Sequence, residues 1–259
     1  MTQEKRILVC EDSLEGIFSA VYDGWKECLG GVEVSVQTSF PTNMELFTTY
    51  REIDTDRSKT GKVMRTILVK LGSEAYEQIC LAAAGADPDR GTAIYYVLHR
   101  ALGHGRCETN VMEALADPYV NKVAKLALRV KREYHHYFGF IRFREISGMF
   151  LLAQIQPEND ILPLLAPHFS NRFPNENWVI YDEGRQKALC HGKGTECVIK
   201  KEVRLQIPRT AMGDRGEYEE LWRAFCDSVS IEARHNEKLQ KQMLPLRFRN
   251  NMPEFSMKG

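Results

Sequence analysis

Apolar and polar positions repeat with helical spacing through much of the chain, and the pattern is clearest over residues 117–138. Apolar or aromatic side chains recur there every three or four residues and define one face of a helix; they are Val120, Val123, Ala127, Val130, Tyr134 and Tyr137. A second stripe with the same rhythm is offset by two residues and lies on the opposite face; it comprises Lys122, Lys125, Arg129, Arg132 and His136. Asp117 and Pro118 favour a helix start, because a carboxylate accepts a first-turn N–H and proline lacks one. The pattern predicts one helix with a buried apolar face and an exposed cationic face.

Strand-like alternation follows this helix. Four strands are predicted, over residues 140–146, 149–155, 178–181 and 186–190, with a fifth possible over 197–203. Asn159 or Asp160 can cap a short helix between the second and third strands. Pro167 breaks or kinks that helix, because proline removes a backbone donor. The stretch therefore predicts a β-β-α-β-β unit with an antiparallel sheet.

The N-terminal part predicts a β-α-β segment followed by short helices. Strands over 6–10 and 32–38 flank an amphipathic helix over 14–29, an order that favours a parallel pair. Helices are then predicted over 59–71, 73–84 and 92–102, and Asp56 or Ser58 can cap the first of them. Beyond a linker at 208–216, a helix from residue 217 is predicted with a core face; that face comprises Tyr218, Leu221, Trp222, Phe225 and Val229.

These elements predict an α+β protein, with an N-terminal β-α-β segment, a helical middle and the antiparallel sheet unit. Its 259 residues suffice for one large domain or two modest ones. We expect an α+β core domain over 1–207, with a helical part over 59–138 and the sheet unit over 139–203. A C-terminal helix and basic tail over 217–259 are expected to pack on that core.

Charge is balanced over the whole chain but uneven along it. The net charge is zero, so no global field directs the protein to nucleic acid or to a membrane. Residues 1–60 carry six basic and eleven acidic side chains, whereas residues 117–146 carry seven and three and residues 234–259 carry six and two. Two local cationic patches suit an anionic partner, and an ordinary solvated surface is the alternative.

The sequence also indicates a compartment. No apolar run approaches the ~20 residues of a membrane span, and the short run near residue 7 does not fit a signal peptide. The seven cysteines show no short pairing pattern. We therefore expect a cytoplasmic protein with no membrane association.

Familiar chemical motifs do not occur in the sequence. Cys190, His191 and Cys197 come nearest to a metal site, but they lack the paired ligand spacing of zinc sites. There is no glycine-rich phosphate loop with its terminal Lys and Ser or Thr, and no Gly-x-Ser-x-Gly elbow. We expect no metal and no cofactor in this chain.

Cationic residues are the candidates for nucleic-acid contact. Arg142 and Arg144 point the same way on their predicted strand, about 7 Å apart, which suits phosphate contact; salt bridges to nearby carboxylates are the alternative. The full predicted set comprises Lys122, Lys125, Arg129, Arg132, His136, Arg142, Arg144, Arg172, Arg247 and Arg249. Trp178 is expected to lie in the core rather than to serve as a base-stacking platform.

Three side chains are candidates for catalysis: His135, His168 and Asp182. A histidine near lysines is driven toward its neutral form, which can accept a proton near pH 7; bonding to local groups at a helix end is the alternative for both histidines. We predict that His135, Arg142, His168 and Arg172 converge on one cleft. The break at Pro167 would free backbone groups there, and arginine forks match phosphate oxygens.

Six segments together resemble a known family. They are SLEG at 13–16, KREYH at 131–135, GFIRF at 139–143, ILPLLAPHF at 161–169, NWVIYD at 177–182 and LQKQM at 239–243. The chain resembles a bacterial domain-of-unknown-function family described as DNA metabolism or DNA repair proteins. Residues 10–12 depart from the Tyr-Asp-Gly of that family, and residues 245–249 lack its tryptophan, which weakens a stacking role for the tail.

The resemblance implies a biological setting but no established reaction or catalytic residue. Family members stand alone beside a radical-SAM protein or are fused ahead of a uracil-DNA glycosylase. The implied function is a DNA-binding accessory in DNA repair or modification. Its radical-SAM partner would carry an iron–sulfur cluster and S-adenosylmethionine. Two alternatives stay open: an enzyme acting on a damaged base or nucleotide, and an adaptor whose basic face docks on an acidic protein.

Overall fold

The computed structural model describes residues 5–28, 32–105, 107–146, 148–205, 221, 224–225, 228, 236–249, 252 and 255. The chain divides into two compact units, residues 1–132 and 133–259. Each unit contains helices and strands, which confirms the α+β class. The predicted core domain over 1–207 with a packed C-terminal helix stays a prediction. Within the described ranges, no helix is long and apolar enough to cross a membrane.

The first unit begins with the predicted β-α-β segment. Its elements are β1 (Lys5–Cys10), α1 (Leu14–Cys28), β2 (Glu33–Gln37) and β3 (Thr48–Ile53). The three strands form a sheet of order β2-β1-β3, in which β1 is parallel to both neighbours. Ile17, Phe18 and Val21 of α1 are buried. The parallel pair expected from the strand–helix–strand order is therefore confirmed.

Three long helices complete the first unit and lead into the second: α2 (Arg57–Ala83), α3 (Arg90–Leu102) and α4 (Pro118–Phe140). The two helices predicted over 59–71 and 73–84 are confirmed as the two segments of α2, which are separated by a kink at Gly72; its φ of +87° is left-handed and suits glycine. Asp56 caps α2 as predicted, its carboxylate accepting from Ser58 N at 2.7 Å. Asp117 caps α4 as predicted, accepting from Tyr119 N at 2.8 Å.

The helix predicted over 117–138 is confirmed as α4, together with its two faces. The buried side chains recur with the predicted spacing; they include Val120, Val123, Ala127, Val130 and Tyr137. Lys125, Arg129 and Arg132 are exposed, while Lys122 is half-buried. Burial of the apolar face therefore holds the cationic face toward solvent.

The second unit is built on a five-stranded sheet of order β4-β5-β6-β7-β8. Its elements are β4 (Arg144–Ile146), β5 (Phe150–Ile155), α5 (Leu162–Arg172), β6 (Trp178–Asp182), β7 (Lys187–His191) and β8 (Val198–Lys200). The expected antiparallel sheet is wrong at one step, because β5 and β6 are parallel. Helix α5 connects them, and such a crossover returns the chain to the end from which it started. The sheet is consequently mixed.

Two local predictions in this unit are also wrong. The strand predicted over 140–146 begins only at Arg144, since α4 extends to Phe140, so Arg142 does not lie on a strand. Helix α5 has no side-chain cap, and it is not broken at Pro167, where a kink stays a prediction. The one backbone hydrogen bond that proline removes is lost on an exposed surface of the helix, where water can replace it.

The C-terminal segment is described in part. It contains α6 (Glu237–Met243) and α7 (Leu246–Arg249). Leu221 and Phe225 were expected on a core face, but they are 60% and 54% exposed, so that expectation is wrong for these two side chains. Tyr218, Trp222, Val229 and the linker at 208–216 lie outside the described residues.

Candidate nucleic-acid interface

The exposed cations of α4 form one row in the first unit. We call Lys125, Arg129 and Arg132 the cationic row; they follow one another at the four- and three-residue steps that align side chains on a helix. All three are exposed. Among the residues that the structure describes, none of the three has an ion-pair partner. The row therefore presents unneutralised positive charge to solvent.

Lys122 belongs to the same stripe but is held by carboxylates. Its Nζ lies 2.8 Å from Asp87 Oδ1 and 3.1 Å from Asp89 Oδ2. Burial acts to raise the pKa of Asp87, but hydrogen bonds from Lys122 and from Asp89 N, with the nearby charge of Arg129, outweigh it and lower that pKa. To bind nucleic acid as predicted, Lys122 therefore has to release at least one of these two carboxylates.

An open surface groove of about 300 Å³ runs beside these side chains. Its lining comprises Asp87, Pro118, Asn121, Lys122, Lys125, Leu126 and Arg129. Three cations and an amide offer hydrogen-bond donors to an anion, while the single carboxylate opposes one. Charge-assisted bonds from Lys and Arg to phosphate oxygens are among the stronger hydrogen bonds in proteins. The groove can hold a phosphate group at Lys122 if one of the two carboxylates that contact this lysine moves away from it.

His136 is the last residue of the predicted stripe. The imidazole ring of His136 stacks on Phe140 and on Phe248, with ring centroids 5.5 and 5.6 Å apart. Phe248 is buried and also contacts the ring of Tyr137. His136 therefore packs against aromatic rings, and its predicted role in binding nucleic acid stays a prediction.

The structure brings some of the predicted cleft residues together around Phe138. The rings of Phe138 and His168 stack at 4.1 Å, and His135 meets the edge of the same phenyl ring at 5.9 Å. Arg172 lies one helical turn beyond His168 on α5. Arg142 instead donates to the carbonyls of Gly139 and Ile141 near the end of α4. These contacts direct Arg142 to the backbone at the end of α4, and its part in the predicted cleft stays a prediction.

His168 provides a prediction about pH. Burial, and then the charge of Arg172, lower its pKa below the ordinary 6.5. The unfolded chain therefore binds a proton at higher pH than the folded chain does. The stabilisation is present above pH 6.5 and is lost as pH falls through the folded pKa. We expect the His168→Phe variant, which keeps a ring against Phe138, to lose less unfolding free energy than wild type between about pH 7.5 and 5.5.

Urea denaturation at several pH values measures this difference. His135→Phe serves as the matched control, because His135 is an exposed histidine that meets the same phenyl ring. A pH dependence in His168→Phe equal to that of wild type contradicts the prediction.

Asp182, the third catalytic candidate, is fully buried at 0% exposure. Its Oδ1 accepts from the backbone N–H of Arg185 at 3.1 Å, and Oδ2 accepts from the Arg185 guanidinium at 3.3 Å. Burial raises the pKa of Asp182. These contacts fix the turn that leads from β6 to β7, and a catalytic role for Asp182 stays a prediction.

The two arginines of the tail also make internal contacts. Arg247 pairs with Glu158, and its Nη2 lies 3.7 Å from Glu133 Oε1. Arg249 donates to the carbonyl of Leu244 at 3.1 Å. Arg144, another residue of the predicted nucleic-acid-binding set, lies on β4 of the same unit, opposite Leu152 of β5. These internal contacts make both tail arginines parts of the second unit.

The sequence reasoning missed a buried polar cluster around Glu133. This carboxylate is 2% exposed and accepts from the backbone N–H groups of Glu158 and Asn159, each at 2.9 Å. The Asn159 amide donates to it as well, at 2.6 Å. One signal was present: Glu133 stands three residues after Val130 and four before Tyr137, in register with the apolar face of α4.

The side chains that come nearest to a metal site in the sequence, among them His191 and Cys197, have other contacts in the structure. Within the described ranges, no group of three or more His, Cys, Asp or Glu side chains is arranged to hold a metal ion. His191 stacks on Trp178 at 5.0 Å and its Nδ1 lies 3.0 Å from the Glu176 carbonyl. Cys197 Sγ lies 3.0 Å from Ser170 Oγ. Each of these two side chains is thus engaged in packing or in a local hydrogen bond.

Comparison with known proteins identifies a family. The model of DUF4130, a domain of unknown function, matches residues 88–254. The matched range takes in the cationic row and the whole five-stranded sheet, but neither the parallel sheet nor α2. No curated protein and no solved structure matches the chain.

Proposed function

This chain belongs to the domain-of-unknown-function family DUF4130, and because that membership assigns no reaction, we propose its function from the charge of α4. We propose that the protein is a DNA-binding accessory that contacts the phosphate backbone through the cationic row. The observation that carries this proposal is the exposure of Lys125, Arg129 and Arg132 on one helical face. In the described part of the chain, no carboxylate pairs with any of them.

The geometry of the row suits a repeating anion. Seven residues of helix separate Lys125 from Arg132, which corresponds to about 10 Å along the axis at 1.5 Å per residue. A DNA strand rises 3.4 Å per phosphate, so the row is long enough to meet more than one phosphate. Such contacts position a protein on DNA without reading its sequence. The proposed binding is therefore weakly dependent on sequence and strongly dependent on salt.

The proposal also includes the process and the partner protein in which this DNA binding takes part. Repair or modification of DNA, and a radical-SAM partner that carries the iron–sulfur cluster and S-adenosylmethionine, are supported by the sequence resemblance alone. The cationic row supports only the contact with a polyanion. Co-purification with the radical-SAM partner, followed by DNA-binding measurements on the complex, tests this part of the proposal.

The row itself is tested by the triple variant Lys125→Gln, Arg129→Gln, Arg132→Gln. Each phosphate contact contributes about 0.7–0.9 to the slope of log K against log salt concentration. We expect the wild-type slope to be at least as steep as about −2 to −3, and the variant to lose about that much. Fluorescence anisotropy with a labelled duplex and a labelled single strand, over a salt series, measures both slopes.

A matched control distinguishes the effect of losing the cationic row from the effect of losing three positive charges anywhere on the protein. Arg57, Arg65 and Lys70 are exposed cations of α2 in the same unit, so Arg57→Gln, Arg65→Gln, Lys70→Gln removes the same three charges elsewhere. We expect this control to retain nearly the wild-type slope. Equal losses in the two triple variants, or no DNA binding by wild type at low salt, would reject the proposed function.

A further inference from the structure

We propose that the acidic turn formed by Asp87 and Asp89 occupies the phosphate position of the groove and competes with bound DNA for Lys122. This inference rests on the proposed function and adds a regulatory element to the same site. The turn acts as an internal anion that a ligand has to displace. It therefore sets how strongly charged a ligand must be to bind.

The contacts of Lys122 support this view. A carboxylate and a phosphate present similar oxygens, and both bind the ammonium group at the distances seen for Asp87 and Asp89, 2.8 and 3.1 Å. Arg129 lies near enough to lower the pKa of Asp87, and both side chains line the groove with Lys125. Asp87 thus stands among the cations that a phosphate would contact.

The turn is held in place by a buried arginine. Arg90 is 3% exposed and its Nη1 donates to the carbonyl of Asp87 at 3.0 Å, while its Nε donates to the carbonyl of Ala83 at 3.0 Å. The Asp87 carboxylate also accepts from Asp89 N at 2.9 Å. The carboxylates are therefore presented by a rigid backbone, and only the side chains have to move when a ligand enters.

Exposure decides which contact yields. The Asp89 side chain is 65% exposed, whereas that of Asp87 is 28% exposed. Exposed ion pairs contribute little to stability, so a phosphate can displace Asp89 from Lys122 at small cost. A single phosphate only replaces the Asp89 carboxylate at Lys122, whereas a polymer with several phosphates also contacts the cationic row. The acidic turn consequently favours polyanions with successive phosphates over small phosphate compounds.

The experiment compares four proteins by DNA binding over a salt series. These are wild type, the double variant Asp87→Asn, Asp89→Asn, the same double variant with Lys122→Gln, and a control, Glu52→Gln, Asp54→Asn. The control removes two exposed acidic charges elsewhere in the first unit. Asparagine keeps an oxygen that can accept from the backbone, so the turn is expected to remain folded, and a thermal melt verifies this.

We expect the double variant at Asp87 and Asp89 to bind DNA several-fold more tightly than wild type, with a slope steeper by up to about 0.7–0.9, because Lys122 then meets a phosphate without first releasing a carboxylate. Adding Lys122→Gln should abolish both gains. Equal tightening in the control, or a gain that persists without Lys122, overturns the inference while leaving the proposed function intact.

A second readout distinguishes the two proposals when DNA does not bind. Thermal stabilisation by inorganic pyrophosphate is measured for the same four proteins. One outcome is that none of the four proteins binds DNA, while pyrophosphate stabilises the double variant but not the double variant with Lys122→Gln. In that case the internal-anion inference holds and DNA binding is rejected. If neither ligand distinguishes the double variant from the control, the inference is overturned.

Discussion

Replacing Glu133 by alanine is expected to lower the unfolding free energy of the second unit by about 3–5 kcal/mol, because buried donors lose their acceptor and each such donor costs about 1–3 kcal/mol. The side chain is 2% exposed. Its two oxygens accept three hydrogen bonds, from the backbones of Glu158 and Asn159 and from the Asn159 amide. Without Glu133, these donors lose their acceptor and Arg247 loses a carboxylate at 3.7 Å.

Urea denaturation of paired variants measures this effect. Glu133→Gln should lie between wild type and Glu133→Ala, because glutamine supplies one acceptor oxygen but also brings an amide N–H₂ group toward existing donors. Glu196→Ala is the control, since Glu196 is an exposed glutamate of the same unit and surface substitutions usually change stability by less than about 0.5 kcal/mol. A loss below about 1 kcal/mol for Glu133→Ala contradicts a structural role for the cluster.

Local signals in the sequence were sufficient for much of the first unit. Asp56 and Asp117 cap helices as expected, because a cap depends only on a side chain and the two or three residues after it. The faces of α4 follow from its three- and four-residue period. In the first unit, these predictions from neighbouring residues were therefore confirmed, whereas the cap predicted for α5 was wrong.

Pairing between strands depends on the order of the elements rather than on the pattern within one strand. The order β5-α5-β6 favours a parallel pair, as it did for β1-α1-β2, but the sheet was expected to be antiparallel. The period of two that identifies β5 and β6 is the same whether strands pair in parallel or antiparallel, and the parallel pairing follows from the path through α5. Similarly, Arg142 lies outside any strand because α4 extends to Phe140. Element ends shift when packing extends a helix by a turn, and the orientation of the next side chains shifts with them.

In the candidate site, too, some features follow from the local sequence and others depend on residues distant in sequence. Exposure of Lys125 and Arg129 follows from helical period alone. The partners of Lys122 and Arg247 come from turns 33 and 89 residues away in sequence, and no spacing rule identifies such contacts. His136 fits the cationic stripe by period, yet it packs on Phe248. Periodicity located the charged face, whereas tertiary contacts determined which of its members are available to a ligand.

Trp178 is the other position at which a large effect is expected. Trp178→Ala should lower the unfolding free energy of the second unit by about 3–5 kcal/mol, because it leaves a cavity in a packed core. The residue is 0% exposed; its indole Nε1 donates to the Phe173 carbonyl at 3.3 Å, and its ring stacks on His191 at 5.0 Å. Trp178→Phe keeps most of the ring contacts and loses that hydrogen bond, so a smaller loss of about 1–2 kcal/mol is expected.

Urea denaturation followed by circular dichroism measures both losses, with Met149→Ala as the control because Met149 is 66% exposed in the same unit. The DNA affinity of Trp178→Phe, measured under native conditions, should equal that of wild type, since a buried indole is not available to a base. A Trp178→Ala variant that keeps wild-type stability but binds single-stranded DNA more weakly would instead identify Trp178 as a base-stacking platform. Stability and affinity together therefore decide between the core role and the binding role of this residue.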